Sequence, residues 1–314
     1  MSTNFMSDPV RVRVAATSAN LGPGFDAVGL ALGLYDDISA EVTSGGVTVR
    51  IAGEGAGDLP GDERHLVVSA MRAAFDECGG QPAGLAVECV NRIPQARGLG
   101  SSSAAIVAGV LLARALVMDG ERRLDDASVL RLAARLEGHP DNVAPCLLGG
   151  FTIAWTESEG AKAVSLPVAA GVRPTVFVPT GRGLTAAARA ALPATVPHLD
   201  AASNAGRAAL LVHALSVAPE LLLPATADRL HQDYRAETMP ATAALVAALR
   251  AADVPAVLSG AGPSVLALRE PPADLAAGPD WQVWSLPVEV RGARVGRGRL
   301  GHAERDPVAA GRKS

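Results

Sequence analysis

The sequence predicts an α+β fold, because stretches with strand spacing and stretches with helix spacing interleave along its 314 residues. From Val10, the run VRVRVAA alternates apolar and polar side chains, as a half-buried strand does. The run HLVVSAMRAAFDEC at 65–78 has helical spacing and ends at two glycines. Residues 101–117 are apolar on almost every side, which is typical of a helix buried on most faces. The length corresponds to about two domains of roughly 150 residues.

The first half is predicted to hold a small sheet and three helices. After the opening strand, ISAEV at 38–42 and VTVRIAG at 47–53 predict two strands joined by a glycine turn. GLAVECVNRIP predicts a strand that ends at Pro94, and the chain returns to strand near Phe151. The third helix, at 126–137, carries apolar residues at helical spacing and stops at a glycine and a proline.

The second half is predicted to alternate strands and helices in the same way. The sequence loosens into Glu, Ser, Gly, Lys and Pro at 157–173, which places a domain boundary there and divides the chain into 1–165 and 166–290. Predicted strands lie at 173–179, 254–259 and 265–269, and predicted helices at 185–191, 205–217, 225–236 and 240–252. Residues 291–314 hold seven Lys or Arg, two acidic residues and no apolar periodicity, which predicts a disordered tail.

The composition argues against several functions. Lys and Arg total 28 against 32 Asp and Glu, so the chain has no global positive field to hold a nucleic acid. Cys78, Cys89 and Cys146 are an odd number without a CxxC pair, which argues against a disulfide framework and a zinc ribbon. The apolar stretch 104–118 is interrupted by Arg114 and is shorter than the roughly 20 residues that span a bilayer. The first ten residues also lack the apolar core of a signal peptide. We therefore expect a cytoplasmic protein without a membrane partner.

The segment PQARGLGSSSA at 94–104 carries the strongest chemical signal. Its glycines let the backbone approach a ligand, and the N–H groups at the start of the helix at Ser101 converge with the positive end of the helix dipole. This pattern predicts an anion site suited to phosphates. It is not a Walker A loop, because Gly100 stands where that loop needs a lysine. Taken alone, the segment is equally compatible with a plain turn and a helix cap.

Three further polar clusters lie along the chain. TSANLGPGFD at 17–26 is a glycine-rich turn after the first strand, in which Asn20 and Asp26 alone would be turn formers. EGHPDN at 137–142 combines a carboxylate that can hold Mg²⁺ with a His and an Asn that can bind a polar substrate. Its alternative is a helix end with a histidine near the dipole. SGAGPS at 259–264 alone predicts a tight bend between two strands.

Together the four segments resemble the GHMP kinases, the family named for galactokinase, homoserine kinase, mevalonate kinase and phosphomevalonate kinase. The spellings TSANLGPGFDAVGLAL, IPQARGLGSSSAA, EGHPDNVAPCLLGG and SGAGPSV are similar to the branch that phosphorylates L-homoserine. The resemblance implies an N-terminal domain like ribosomal protein S5 domain 2, a C-terminal ferredoxin-like domain, and ATP and substrate in the cleft between them. It also implies that the product is O-phospho-L-homoserine, on the way to threonine, and that the chain forms a homodimer.

For the nucleotide, the resemblance implies two cofactors, ATP and Mg²⁺. The family's loop wraps the ATP phosphates, and the matching residues here are Pro94, Gln95, Ala96, Arg97, Gly98, Leu99, Gly100, Ser101, Ser102, Ser103 and Ala104. The metal is expected to be bound by Glu137 and the hydroxyl of Ser101, with the hydroxyl of Ser102 as the alternative.

For the substrate, the resemblance implies a pocket for the amino acid, made of Asn20, Asp26, His139, Asn142, Thr185, Arg189 and Arg235. Asp26 is expected to face the substrate amino group. Two arginines are expected to bind the carboxylate, because a planar guanidinium can do so bidentately. Arg189 is the first, and it stands at i+4 from Thr185 on a predicted helix. Arg235 is the second, with Arg229 as a weaker alternative.

The homoserine branch resembles a base-free mechanism, in which the hydroxyl proton passes to the γ-phosphate. Asn142 and Arg189 are then the expected catalytic residues, and Asp141 is expected to be structural. Two alternative functions compete with this interpretation. A mevalonate kinase would predict a lysine in the first turn, which TSANLGPGF lacks. A non-catalytic ligand sensor with this fold would not need to keep the phosphate and metal groups.

Overall fold

Two β-sheets organise the chain, and most of the first sheet comes from the N-terminal half. The computed structural model describes residues 3–181, 183, 185–273, 275, 277–301 and 304, and only the backbone of 185–187. The strands of the larger sheet are β1 (Val10–Ala19), β2 (Val28–Thr43), β3 (Gly46–Gly53), β4 (Gly84–Asn91), β5 (Phe151–Glu157), β6 (Gly160–Leu166) and β11 (Arg294–Arg297). Their order is β11-β1-β2-β4-β3, and β5 pairs with β2 and β6. The pair β3–β4 is parallel and the others are antiparallel.

One buried helix organises the layer that covers this sheet. The helices of the first half are α1 (Leu66–Glu77), α2 (Ser101–Leu116), α3 (Gly120–Arg123), α4 (Asp126–Glu137) and α5 (Val143–Leu148). Helix α2 packs against α1, α4, α5 and β1, and most of its side chains from Ser103 onward are buried. Because it is enclosed by apolar neighbours, its N-terminus is held at a fixed place, where it meets the second half of the chain.

The second sheet has four antiparallel strands in the order β10-β7-β9-β8. They are β7 (Thr175–Pro179), β8 (Ala256–Leu258), β9 (Val265–Ala267) and β10 (Trp281–Ser285). The helices of this half are α6 (Thr185–Ala190), α7 (His198–Ser216), α8 (Leu222–Ala225), α9 (Gln232–Ala236) and α10 (Pro240–Ala251). A small core of its own joins Phe177, Leu245, Leu249 and Val265. The predicted α+β class is confirmed, and this sheet agrees with the expected ferredoxin-like half.

Several predicted elements are wrong in their bounds. The loose stretch 157–173 contains strand β6, because Gly160 turns the chain back with φ 114° and pairs it with β5. The predicted helix 225–236 is restricted to α9, because the Asp228 carboxylate accepts backbone N–H groups from residues 230–232 and holds them in a turn. Strand β10 has no counterpart among the predicted elements.

The predicted start of the disordered tail, residue 291, lies too early in the sequence. Residues 294–297 form β11, which pairs with Val10 to Arg13 on β1. The basic residues here meet carboxylates, as Arg294 contacts Glu289 at 3.1 Å and Arg299 contacts Glu41 at 2.8 Å. The remainder of the expected tail, except residue 304, lies outside the described residues beyond 301. Among the described helices, none combines the length and the hydropathy needed to cross a membrane.

Candidate active site

A cleft between the two halves brings the four polar segments together. Its volume is about 280 Å³, and two grooves elsewhere are larger, so its chemistry rather than its size distinguishes it. The lining residues are Asn20, Asp26, Ala96, Gly98, Leu99, Gly100, Ser101, Ser102, Glu137, His139, Asp141, Asn142, Arg189, Arg235, Gly260 and Ala261. Every segment that the sequence singled out contributes to this lining.

The glycine-rich loop runs from the end of β4 to the first turn of α2. Gly98 and Gly100 have φ angles of 73° and 70°, in the left-handed region that favours glycine. A Cβ atom on Gly100 would lie 1.9 Å from the Thr17 hydroxyl, so the close packing of the loop on β1 also requires glycine. The loop thereby presents the N-terminus of a 16-residue helix to the cleft, where the backbone N–H groups and the dipole favour an anion.

Both halves of the chain hold this loop. The Leu99 carbonyl accepts from the Thr17 backbone N–H at 3.0 Å, and the Gly98 carbonyl accepts from the Ser259 hydroxyl at 2.7 Å. Arg97 donates to the Pro179 carbonyl at 2.9 Å, at the end of β7. A Cβ atom on Gly98 would lie 2.2 Å from the Ser259 carbonyl. Gly98 is therefore needed where the two halves approach each other.

Six of the eleven residues expected to bind ATP line the cleft. They are Ala96, Gly98, Leu99, Gly100, Ser101 and Ser102. Pro94, Gln95, Arg97, Ser103 and Ala104 lie outside the lining described for the cleft. The side chain of Arg97 ties the loop to the second half, and Ser103 and Ala104 are buried in α2.

Glu137, the last residue of α4, bridges two hydroxyl groups at the start of α2. Its carboxylate oxygens accept from Ser102 and Ser103, each at 2.8 Å. The sequence predicted Ser101 beside Glu137 at the metal, with Ser102 as the alternative, and both serines line the cleft. The hydroxyls that contact Glu137 are those of Ser102 and Ser103. No group of three or more His, Cys, Asp or Glu side chains suited to a metal occurs among the described residues. One carboxylate with hydroxyl oxygens fits Mg²⁺, which typically takes one or two carboxylates and completes its shell with phosphates and water.

The turn after β1 brings Asp26 to the lining of the cleft. Its backbone N–H donates to the Asn20 side-chain oxygen at 2.9 Å, and the Asn20 amide donates to the Gly260 carbonyl at 2.9 Å. Asn20 is 4% exposed, so its side chain fixes the turn as well as lining the cleft. The Asp26 carboxylate contacts the Arg189 guanidinium at 3.1 Å, although the two residues are 163 positions apart. The sequence predicted that Asp26 binds the ammonium group of the substrate and that Arg189 binds its carboxylate, and the structure places the two side chains in contact.

Arg235 is a buried cation whose described hydrogen-bond partners are all neutral. It is 2% exposed, and it donates to the carbonyls of Ala188 at 3.1 Å and Gly260 at 3.3 Å. Its third partner is the ring nitrogen Nδ1 of His231 at 3.0 Å. Burial lowers the pKa of Arg235, because the charged form loses solvation. A buried charge without an opposite charge in contact is costly, so this position favours an anionic ligand.

The segment after α4 places three polar side chains in the lining of the cleft. His139 Nδ1 lies 2.5 Å from an oxygen of Asp141, whose side chain is almost fully buried. Asn142 accepts from the Thr17 hydroxyl at 2.8 Å, which fixes the orientation of its amide. The sequence predicted a structural role for Asp141 and a substrate-binding role for Asn142. Here both line the cleft, and Asp141 orients His139.

Replacing Asp141 with asparagine is expected to lower the pKa of His139. The hydrogen bond that the His139 ring donates to the Asp141 carboxylate is the main cause that raises this pKa above its ordinary value of about 6.5. The stabilisation that comes from the protonated pair is therefore complete below that ordinary value and disappears as pH rises through the raised pKa. An NMR titration of the His139 ring in both proteins measures the difference, and equal pKa values would contradict this assignment.

Thr185 and Arg229 are the remaining residues that the sequence predicted at the substrate. The side chain of Thr185 lies outside the described residues, although its backbone begins α6. Arg229, the weaker alternative, contacts Asp200 at 2.8 Å with a mostly exposed side chain, and the lining of the cleft contains Arg235 instead.

Sequence reasoning missed residues that shape the cleft from behind. Asn204 is buried on α7 and donates to the Pro23 carbonyl at 2.8 Å, which supports the turn that carries Asp26. His231 contacts the Gly22 carbonyl at 2.9 Å. The only signal in the sequence is their polar character beside apolar neighbours, which does not reveal a partner some 200 positions away.

Comparisons with known proteins bear on the whole chain. Residues 65–150 match the family described as GHMP kinases N terminal domain, and residues 208–277 match the family described as GHMP kinases C terminal. A homoserine kinase from Streptomyces coelicolor is 59% identical over 297 residues, which cover 93% of this chain and 96% of that protein. A homoserine kinase from Clavibacter michiganensis is 50% identical, with 91% and 93% covered.

Solved structures show the same architecture. The crystal structure of homoserine kinase from Cytophaga hutchinsonii is 26% identical and superposes with a TM-score of 0.77 over 94% of this chain and 99% of that one. The mevalonate kinase of L. major, solved in complex with R-mevalonate, is 15% identical with a TM-score of 0.63 over 93% and 97%, so it shares the fold.

Proposed function

The chain belongs to the GHMP kinase family and, within it, to the homoserine kinases, and from this premise we propose that its cleft transfers the γ-phosphoryl group of ATP to the side-chain hydroxyl of L-homoserine. The product is O-phospho-L-homoserine, a precursor in threonine biosynthesis. One observation carries the proposal. A single cleft contains a helix N-terminus suited to phosphates, together with an acidic and two basic side chains suited to the ammonium and carboxylate groups of an amino acid.

Two groups of cleft residues suit the two reactants. The start of α2 presents backbone N–H groups to the phosphates of ATP. In the part of the cleft that we call its substrate end, Asp26 is suited to the ammonium group of homoserine, and Arg189 and Arg235 to its carboxylate. Asn142 and His139 line the same cleft, and Asn142 lies beside the phosphate loop, because a Cβ atom on Gly100 would come within 3.2 Å of its side-chain oxygen.

The protein's contribution to the reaction is positioning and charge neutralisation, which dominate phosphoryl transfer. Glu137, with the hydroxyl of Ser101 or Ser102 in the lining of the cleft, would hold Mg²⁺, and this ion supplies charge neutralisation at the phosphates. Asn142 orients the substrate hydroxyl, and its own amide is oriented by Thr17. No residue need act as base, because the hydroxyl proton can pass to an oxygen of the γ-phosphate.

The two alternative functions, a mevalonate kinase and a non-catalytic ligand sensor, are less favoured. A mevalonate kinase needs no paired binding of an ammonium and a carboxylate, whereas this cleft contains Asp26, Arg189 and Arg235. The curated relatives quoted above are homoserine kinases. A sensor without turnover has no need for the contact between Glu137 and the serines of the phosphate loop.

We keep residues 1–165 and 166–290 as the two proposed domains, and a homodimer as the proposed assembly.

The experiment that tests the function is an ADP-release assay with ATP and Mg²⁺. L-Homoserine, L-serine, L-threonine and mevalonate are compared as phosphoryl acceptors. Turnover with L-homoserine well above that with the other three is the expected result. Turnover with mevalonate alone would overturn the pocket assignment, and ATP binding without turnover would favour the sensor.

Replacing Arg189 with alanine is expected to raise the KM for L-homoserine by about 30-fold or more and to change the KM for ATP much less. The loss of a charged, bidentate contact costs about 2 to 4 kcal/mol, and each 1.4 kcal/mol is tenfold. Steady-state kinetics with each substrate varied in turn measure both constants. Arg207→Ala on α7 is the control, because this residue lies outside the lining of the cleft. An unchanged KM for L-homoserine would remove Arg189 from the pocket.

A further inference from the structure

His231 lies behind the substrate end of the cleft, at the start of α9, and is fully buried. Both of its ring nitrogens have partners. Nε2 lies 2.9 Å from the carbonyl oxygen of Gly22, in the turn that carries Asp26. Nδ1 lies 3.0 Å from Nη1 of Arg235. One ring therefore connects the turn of the first half with the buried arginine of the second half.

These partners determine which nitrogen carries the proton. A carbonyl oxygen only accepts hydrogen bonds, so Nε2 must donate to Gly22. A guanidinium only donates, so Nδ1 must accept from Arg235. The ring is consequently neutral and held as the Nε2–H tautomer. Burial lowers the pKa of His231 and outweighs the opposing effect of the buried Asp228 carboxylate, which lies 3.7 Å from Nε2, in agreement with a neutral ring.

An aromatic contact strengthens the same connection. The ring of Phe25, the residue before Asp26, lies 5.2 Å from the His231 ring, centroid to centroid. The guanidinium of Arg235 stands over Phe25 at 5.5 Å from the centroid. Phe25, His231 and Arg235 therefore form a compact group in which a shift of one moves the others.

The hydrogen bonds of Arg235 leave one part of its guanidinium for a ligand. Nε is occupied by the Ala188 carbonyl, and Nη1 by His231 and the Gly260 carbonyl. Within the described residues, Nη2 has no hydrogen-bond partner, and Arg235 borders both the cleft and a second cavity beside α10. The orientation of Nη2 depends on the atoms that hold the rest of the planar group, and His231 is the one side chain among the described hydrogen-bond partners that does so.

We propose that His231 is a positioning residue, which fixes Arg235 relative to the turn of Asp26 and so sets the preference for an acceptor that carries a carboxylate. This inference rests on the proposed function, since it concerns the substrate end of the same cleft. His231 does not touch the substrate. It determines the separation between the group that binds the ammonium and the group that binds the carboxylate.

Two variants separate the contact from the volume of the ring. His231→Phe keeps an aromatic ring beside Phe25 and removes both hydrogen bonds. His231→Asn keeps an oxygen acceptor near the position of Nδ1 and so restores the contact with Arg235. Residues that orient a ligand-binding group are commonly worth about 10- to 100-fold in the analogous case of metal ligands. We expect His231→Phe to raise the KM for L-homoserine by that factor, with the KM for ATP nearly unchanged, and His231→Asn to recover part of the loss. His213→Phe, at an exposed histidine on α7, is the matched control.

The decisive measurement compares L-homoserine with 3-aminopropan-1-ol, which lacks only the carboxylate. The parent should prefer L-homoserine in kcat/KM, and in His231→Phe this preference should fall by about tenfold or more. Equal losses with both acceptors would show a merely structural role and overturn the proposal. So would full preference retained in His231→Phe.

A second measurement does not depend on activity or on the folding of a variant. With ¹⁵N-labelled histidine, NMR of the parent protein should show His231 as the neutral Nε2–H tautomer, and L-homoserine should shift its signals more than 3-aminopropan-1-ol does. An Nδ1–H tautomer, or a protonated ring at neutral pH, would overturn the proposal. If the parent phosphorylates none of the tested acceptors, the proposed function fails, whereas the tautomer still tests the contact between His231 and Arg235.

Discussion

Replacing Arg235 with methionine is expected to lower kcat/KM for L-homoserine by about a thousandfold, which is the largest loss we expect at the substrate end of the cleft. Methionine is unbranched and apolar, so it fills much of the same volume beside Phe25 without the charge. The buried guanidinium has carbonyl oxygens and a histidine nitrogen as its described partners. Its removal therefore leaves a substrate carboxylate without a buried countercharge. Steady-state kinetics and calorimetric binding of L-homoserine both measure this loss.

Arg250 offers a matched control for that experiment. It is a half-buried arginine of the second half, whereas Arg235 is fully buried, and it donates to the Thr226 hydroxyl at 2.8 Å and the Leu223 carbonyl at 3.0 Å. It borders a second cavity, which Arg235 also borders, and it lies outside the lining of the cleft. Arg250→Met is expected to lower the melting temperature without a selective effect on the KM for L-homoserine. A similar KM in Arg235→Met and the parent would exclude Arg235 from carboxylate binding.

The parts of the site that could be predicted from the sequence are those whose geometry is local. Loop 94–104 lies between a strand and a buried helix, and glycine and helix chemistry alone predict an anion site there. Helix α4 ends at a glycine with φ 92°, so the position of Glu137 at its last turn also follows from nearby residues. In each case, the residue types that predict the feature lie close together along the chain, although contacts from the second half also hold the loop.

The parts that could not be predicted depend on partners far along the chain. The contact between Asp26 and Arg189 spans 163 positions, and that between His231 and Gly22 spans 209. Neither residue type nor spacing indicates such pairs, because they arise only when the second half folds against the first. Strand β11 is a similar case, since its four residues lack apolar periodicity and gain their structure from pairing with β1.

The long-range contacts also explain why the two halves act as one site. The turn of Asp26 is supported by Asn204 and His231 from the second half, and the phosphate loop by Ser259. A change in either half therefore shifts the ligand-binding groups that the other half carries. For this reason, conservative variants with a matched control are more informative than truncations, which would remove the support of both ends together.

Replacing Glu137 with glutamine is expected to lower kcat by about a hundredfold or more, the typical size for the loss of one group that stabilises the charge of a transition state. Glutamine has nearly the same shape and can still hydrogen-bond with Ser102 and Ser103, so the junction between α4 and α2 should persist. What is lost is the negative charge of a carboxylate, the ligand that Mg²⁺ prefers.

Two readouts separate this charge effect from a loss of structure. The Mg²⁺ concentration that gives half of the maximal rate should rise in Glu137→Gln, while its melting temperature stays close to that of the parent. Glu77→Gln is the matched control, because Glu77 ends α1, pairs with Arg135 at 2.7 Å and lies outside the lining of the cleft. A rate and a Mg²⁺ requirement equal to those of the parent would show that Glu137 only caps the serines of α2. The reactive metal would then have to be held by the phosphates and by other oxygens of the cleft, of which Asp141 is the nearest in sequence.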